Sequence, residues 1–169
     1  TSWTAGNPTT QYAYASCGLG TQTAGMLAGA YDGAAHGTAN YVQLWNGTCW
    51  SNSPYDLNTA RYNPLGTAGT QTAAIVFGGN PSNKTAVEEY NGGAWTSVNG
   101  LSTGSAAGSG GGTQASALAF GGGGGPKAVT QLWDGTCWSA NPNALIISKK
   151  KAMIVGVLIL KKNCLVLFI

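Results

Sequence analysis

Residues 69–79 read G-T-Q-T-A-A-I-V-F-G-G, and the phrase returns as G-T-Q-T-A-G-M-L-A-G-A from Gly20 and G-T-Q-A-S-A-L-A-F-G-G from Gly112. A second phrase alternates with it: Q-L-W-N-G-T-C-W at 43–50, E-E-Y-N-G-G-A-W at 88–95 and Q-L-W-D-G-T-C-W at 131–138. One repeat therefore holds both phrases. Self-similarity at a period of about 20–50 residues marks a solenoid, propeller or array, in which one unit cannot bury its apolar face alone. Successive Gly-Thr-Gln phrases start 49 and then 43 residues apart, and the second phrase follows the first after 23, 19 and 19 residues. The slack lies between phrases, with the largest insertion around Tyr31–His36. Fixed spacing within phrases and variable spacing between them is what strands joined by surface loops give.

Each repeat reads as four short strands. Thr72–Phe77 is apolar and stops at Gly78-Gly79, which predicts a strand buried on both faces and ended by a sharp turn. A shorter strand, Thr85–Tyr90, follows. Asn46-Gly47, Asn91-Gly92 and Asp134-Gly135 then predict two-residue hairpin turns, in which both central residues take positive φ. The strand after the turn carries Trp50, Trp95 or Trp138, with Trp3 in the same phase, and these indoles are expected to pack between neighbouring repeats. A segment such as Leu57–Arg61 leads to the next Gly-Thr-Gln. Cys49 and Cys137 occupy equivalent positions two repeats apart, too far for a disulfide, which needs Cα atoms within about 7 Å. They read as small core residues.

Composition agrees with short strands and tight turns. Of 169 residues, 27 are Gly and only 8% are charged, so long surface helices laced with charge pairs are not expected. The formal net charge of +3 comes from the last residues, where Lys149, Lys150, Lys151, Lys161 and Lys162 lie. Residues 1–148 hold three basic residues against five acids, a charge of −2, with no basic footprint for nucleic acid. Four cysteines without a C-x-x-C pair and one histidine are too few for a zinc site, and no metal or cofactor is expected.

Four strands in some 45 residues, a Gly-Gly and a late Trp resemble the kelch repeat. Gly78-Gly79, Tyr90 and Trp95 match its pattern, as do Gly121-Gly122, Trp133 and Trp138, and Arg61 stands where kelch repeats often carry an Arg. The aromatic-to-Trp spacing of five is tighter than the usual kelch loop, and the first repeat has Gly29-Ala30 for Gly-Gly. The resemblance implies an all-β fold, a kelch-like β-propeller fragment of about three four-stranded blades, open or incomplete. Residues 1–8 are then the outer strand of a preceding blade, 9–54, 55–98 and 99–141 are blades 1 to 3, and 142–169 form a divergent tail rich in Lys, Leu and Ile. The abrupt change of composition after Leu145 reads as a frame error, truncated gene or joined segment, with a genuine β or membrane-associating tail as the alternative. Its apolar run Ala152–Leu160 is nine residues, short of the ~20 a span needs, so a membrane partner is not expected.

Individual motifs read mostly as structure. Gly121–Gly125 before Pro126-Lys127 lacks the Gly-Lys-Ser/Thr that a phosphate loop needs and reads as a loose turn. The D-G-T-C-W block resembles the Asp box of sialidase-like propellers, but Asp134 stands directly before Gly135, which suits a hairpin turn. Copper chemistry of the kind found in some kelch-like oxidases needs a pair of histidines, and His36 is alone. Asn46-Gly-Thr and Asn83-Lys-Thr fit the glycosylation sequon by chance.

No catalytic constellation emerges, so the expected function is binding. The wording of the two phrases is similar to kelch-like arrays in predicted tail or adhesin proteins of marine bacteriophages. That resemblance implies a non-catalytic module of a phage tail fibre or surface adhesin, on a virion or extracellular surface, contacting a host surface glycan or protein. Tyr31, Asp32 and His36 in one loop and Asn80, Asn83 and Lys84 in another are the contact candidates. Further blades or other copies of the chain are expected partners. A purely structural spacer and a fragment of a glycan-processing propeller enzyme are the alternatives.

Overall fold

The Gly-Thr-Gln phrase is where each repeat makes its first hairpin. Gly20, Gly69 and Gly112 have φ of 100°, 102° and 117°, and a Cβ on them would lie 2.2, 2.1 and 2.3 Å from the carbonyl oxygens of Ala24, Ala73 and Ser116. Only glycine satisfies both constraints. The chain then reverses over two residues, Gln71-Thr72 in the middle repeat, closed by the Thr70 amide donating to the Ala73 carbonyl at 2.9 Å.

In the computed structural model, residues 2–33, 37–64, 66–82, 84–123 and 129–140 are described, together with the backbone strands 159–161 and 164–166. Each repeat folds into one four-stranded antiparallel sheet. Blade 1 holds β1 (Cys17–Thr21), β2 (Ala24–Tyr31), β3 (Thr38–Trp45) and β4 (Trp50–Asn52). Blade 2 holds β5 (Gly66–Gly69), β6 (Ala74–Phe77), β7 (Val87–Tyr90) and β8 (Trp95–Val98). Blade 3 holds β9 (Ser109–Thr113), β10 (Ser116–Phe120), β11 (Thr130–Trp133) and β12 (Trp138–Ala140). Strands follow chain order in every sheet, and the inner strand β5 lies against both β1 and β9. This is an all-β, open propeller fragment of three blades. A fourth sheet is a separate antiparallel strand pair, β13 (Ile159–Lys161) and β14 (Cys164–Val166), while the rest of the expected tail lies outside the described residues. Residues 2–9 carry no regular secondary structure, and among the described residues no helix is long and apolar enough to cross a membrane.

The segment Leu57–Arg61, which leads to the next Gly-Thr-Gln, carries no strand, and the innermost strand of each blade runs directly into that phrase. One local expectation is corrected. The Asn-Gly and Asp-Gly sites are four-residue loops between paired aromatics (Trp45↔Trp50, Tyr90↔Trp95, Trp133↔Trp138). Only the glycines there take positive φ. Asn and Asp are used for their side-chain acceptor: Oδ1 of Asn46 accepts the amides of Thr48 and Cys49 at 3.0 and 2.9 Å, and Oδ1 of Asp134 those of Thr136 and Cys137 at 2.8 and 2.7 Å.

Blade 2 is covered on both faces. Ala74 and Val76 pack with Met26, Ala28 and Val42 of blade 1, while Ile75, Phe77 and Val87 pack with Ala117, Ala119, Trp133 and Trp138 of blade 3. Alternation along β6 sends successive side chains to opposite neighbours, which is why the whole strand is buried. Burying Phe77 or Ile75 contributes about 1.5–3 kcal/mol each. The indoles divide accordingly. Trp95 and Trp138 are buried between blades, Trp50 is half-buried, and Trp3, expected to be packed, is fully exposed because no sheet of the described chain faces it. Cys49 is also corrected: it is an exposed free thiol on its loop, whereas Cys137 is buried.

Polar devices repeat at each junction. The Gln71 side-chain amide donates to the carbonyls of Gly25 and Trp45 at 2.8 and 2.9 Å, and Gln114 does the same to Ala74 and Tyr90 at 3.2 and 2.7 Å. On the opposite rim the Asn63 amide donates to the Ala15 carbonyl at 2.6 Å, and the Ala107 amide to the Asn63 carbonyl at 3.1 Å. Ala15, Asn63 and Ala107 share positive φ of 54°, 41° and 55°.

A third device holds each connector to the blade it enters. Gln43, Glu88 and Gln131 are equivalent and buried. Gln43 Oε1 accepts the Thr10 amide at 2.8 Å, Gln131 Oε1 the Thr103 amide at 3.1 Å, and Glu88 the amides of Asn58 and Thr59 at 2.7 and 3.2 Å. Where the clamp is a carboxylate, the connector supplies a cation. Arg61, fully buried, pairs with Glu88 and donates to the carbonyls of Gly78 and Ala86 at 3.0 and 2.9 Å. Where the clamp is a neutral amide, Ala13 or Ser105 stands in its place.

Glu88→Gln is expected to cost about 3–5 kcal/mol in urea denaturation, because it leaves the Arg61 guanidinium buried and unpaired. Glu88→Gln with Arg61→Ser, the combination blade 3 uses, is expected to recover at least about 1 kcal/mol over Glu88→Gln alone. At the blade 3 loop, the amides of Cys137 and Thr136 hold the Asp134 carboxyl below its ordinary value of 3.8. Its contribution is therefore complete above that value and is lost as pH falls through the lower folded one. The stability gap between the protein and Asp134→Asn is expected to close on acidification, read as urea midpoints at neutral and strongly acidic pH.

Candidate functional site

Antiparallel order sends the turns of each blade to two opposite rims. The Gly-Thr-Gln and Asn-Gly turns lie on one. The β2–β3, β6–β7 and β10–β11 loops lie on the other, with the connectors entering β1, β5 and β9. On this second rim each blade carries one isolated bridge between connector and loop: Tyr14↔Tyr31, Tyr62↔Asn80 and Ala106↔Gly123. The backbone device is common to the three blades and the side chains on it are not.

Four of the six expected contact residues fall on this rim, while His36 and Asn83 lie outside the described residues. Tyr31 ends β2 and sits at the centre of an aromatic patch. Its ring lies 6.4 Å from that of Tyr14, edge-on, and 5.2 Å from that of Tyr62. Asn80 is joined to the patch through Tyr62, by reciprocal backbone bonds of 2.8 and 3.2 Å. Asp32 follows Tyr31, its amide bonded to the Gly37 carbonyl at 3.0 Å and its Oδ1 buried without a hydrogen-bond partner. Its charge acts on Tyr41, whose hydroxyl is pushed up first by burial and then by Asp32, and donates to the Tyr12 carbonyl.

Lys84 does not join the patch. Its ammonium turns inward and donates to the Ala60 carbonyl at 2.7 Å. Burial holds its pKa down, and the neighbouring Arg61 charge adds to that. It braces the connector beside the Arg61–Glu88 pair.

Sequence reading missed Tyr12, Tyr14 and Tyr62. Tyr12 and Tyr14 are 69% and 68% exposed, the most accessible tyrosines of the rim. They stand in the connector, which was read as a lead into the next strand. Their signal was the placement of Tyr14 and Tyr62 ahead of successive Gly-Thr-Gln phrases, a recurrence outside both quoted phrases.

Chemically the rim offers ring faces, hydroxyls and one carboxylate. Such a set stacks on apolar faces and hydrogen-bonds polar edges at low entropy cost. Three other carboxylates are committed to backbone amides: Asp56 accepts from Val42 at 3.1 Å, and Glu88 and Asp134 serve as described above. The chain matches no protein-family model and no curated protein.

Because Tyr14 is mostly exposed, Tyr14→Ala is expected to change stability by no more than ~0.5 kcal/mol. Tyr31→Ala, which removes ring contacts to both neighbours, is expected to cost about 1–3 kcal/mol. Thermal unfolding of the two variants checks the order.

Proposed function

We propose that the chain is a non-catalytic, kelch-type binding module of a phage tail fibre or surface adhesin, whose tyrosine rim contacts a glycan or protein on a host surface. The observation that carries this reading is the contrast between blades. The buried clamp keeps one role in all three, with Gln43, Glu88 and Gln131 each holding a connector. The bridge positions on the rim carry Tyr14 with Tyr31, Tyr62 with Asn80, and Ala106 with Gly123. A fixed scaffold with unlike side chains on one edge is how a repeat protein presents a recognition surface. Exposed tyrosines suit a sugar, whose ring offers an apolar face for stacking and hydroxyls for the phenol oxygens.

An array of bacterial envelope oligosaccharides tests the reading. Binding of the whole chain to a defined subset is expected. Tyr12→Ala with Tyr14→Ala should weaken it by roughly tenfold or more, the equivalent of about 1.4 kcal/mol. Thr70→Ala, on the opposite rim, should leave it unchanged. Absence of binding to any array member and to intact bacterial cells would favour the spacer reading, which rests on the exposed apolar side chains Phe120 and Leu132 of blade 3.

A further inference from the structure

Among the described residues, the glutamine and backbone devices that recur between consecutive blades have an unmatched half on the outer face of blade 1 and another on the outer face of blade 3. Gln71 and Gln114 each reach back to a cross-strand pair of carbonyls on the blade before. The equivalent Gln22 is exposed, and its side chain has no hydrogen bond among the described residues. The equivalent carbonyls on blade 3 belong to Ala117 and Trp133, which face each other across β10 and β11 as Ala74 and Tyr90 do across β6 and β7. The backbone belt from Ala15 through Asn63 to Ala107 likewise leaves the Ala15 amide at one end and the Ala107 carbonyl at the other.

The apolar halves are complementary too. Ile75 and Phe77 on blade 2 fill the socket formed by the Trp133–Trp138 pair, with Phe77 and Trp138 centroids 4.8 Å apart. On blade 3 the equivalents are Leu118 and Phe120, with Leu132 beside them. Phe77 is fully buried, whereas Phe120 is 41% exposed and Leu132 40%. On blade 1 the equivalent socket is the Trp45–Trp50 pair, centroids 5.5 Å apart against 5.5 Å for Trp133–Trp138. It opens into a cleft of about 570 Å³ that Gly18, Gln22 and Asn7 also line.

Size matching selects the occupant. Phe77 presses so close to Gly110 that a Cβ there would lie 2.4 Å from its ring. At the blade 1 to blade 2 junction the corresponding positions are Ala28 and Thr67, small against larger. Blade 3 presents Phe120, so the face it meets must carry glycine at the Gly110 position. Blade 1 carries Gly18 there, exposed, where a Cβ would meet nothing nearer than the Met26 carbonyl oxygen at 3.7 Å.

We propose that a second copy of the chain docks its blade 1 on blade 3 of the first. Phe120 enters between Gly18 and the Trp45–Trp50 pair, and Gln22 donates to the carbonyls of Ala117 and Trp133. The contact is heterologous, head to tail, and continues the interface already present between blades 1, 2 and 3. It is independent of what the tyrosine rim binds.

Sedimentation velocity of the full chain across a wide concentration range provides the test. Species heavier than the 17.1 kDa protomer are expected to grow with concentration. Phe120→Asp places a charge in an apolar socket, and Gly18→Leu fills the space the ring needs. Each should raise the dissociation constant by roughly a hundredfold. Both positions are exposed in the protomer, and unchanged thermal unfolding confirms that each variant folds. Mixing the two variants is the decisive arm. Gly18→Leu keeps an intact blade 3 face and Phe120→Asp an intact blade 1 face, so the mixture should form a dimer that neither forms alone. A protomer that stays single at every concentration overturns the proposal. So does association that both variants leave unchanged, or association that both abolish and mixing does not restore.

Discussion

Blades can share an axis only if their inner strands approach backbone to backbone, and in this chain glycine permits that approach. A Cβ on Gly66 would lie 2.7 Å from the Gly110 amide nitrogen and 2.8 Å from its Cα. The inner strands β5 and β9 therefore meet with no side chain between them at this point. The room released there is taken by Phe77, whose ring presses on both glycines. Removing side chains at the axis and adding a large ring one strand further out are two halves of one packing solution. Protein interiors are close-packed, so neither half is stable without the other.

The second constraint is polar. A connector crossing from the outer strand of one blade to the inner strand of the next carries amides that the sheets do not pair, and buried amides need partners. The clamp at 43, 88 and 131 supplies them from a side chain in the middle of the sheet. Using Gln twice and Glu once does not alter the geometry, but it alters what must sit nearby. The Glu88 carboxylate is buried, so a buried guanidinium accompanies it, and Arg61 then also takes up the Gly78 and Ala86 carbonyls. Charge balance is met blade by blade, which allows repeats of unlike sequence to keep the same backbone.

The repeat, the blade count and the buried second strand were legible in the sequence because they rest on apolar patterning and on glycine spacing. The innermost strand was not. Gly66–Gly69 reads Gly-Thr-Ala-Gly, which has no strand propensity, and its conformation is imposed by β6 and by the neighbouring inner strands. The Asn-Gly sites were legible as turns but not as four-residue loops, because the same residues serve a positive-φ turn and a side-chain cap. The rim was half legible. Tyr31, Asp32 and Asn80 stand in a visible insertion or after a Gly-Gly, whereas Tyr12 and Tyr14 stand in a connector whose return to the same edge only the sheet topology shows. The inward turn of the Lys84 ammonium to the Ala60 carbonyl was not legible, since exposure of a loop does not fix the direction of a long side chain.

Rim and blade faces obey different rules, and the difference bears on how such an array evolves. A face residue is answerable to a partner of fixed shape: Phe77 requires glycine at 110, and Ala28 tolerates threonine at 67. A rim residue such as Tyr14 answers only to solvent and to its ring neighbour, because the bridge beneath it is made by backbone atoms. Substitution at an exposed rim position such as Tyr14 therefore costs little stability and changes the outer surface directly. Substitution on a face changes which blade can follow which. One sequence thus carries a freely variable surface and a restrictive pairing code on the same three sheets, and the two are separable because backbone hydrogen bonds, not side chains, build the rim.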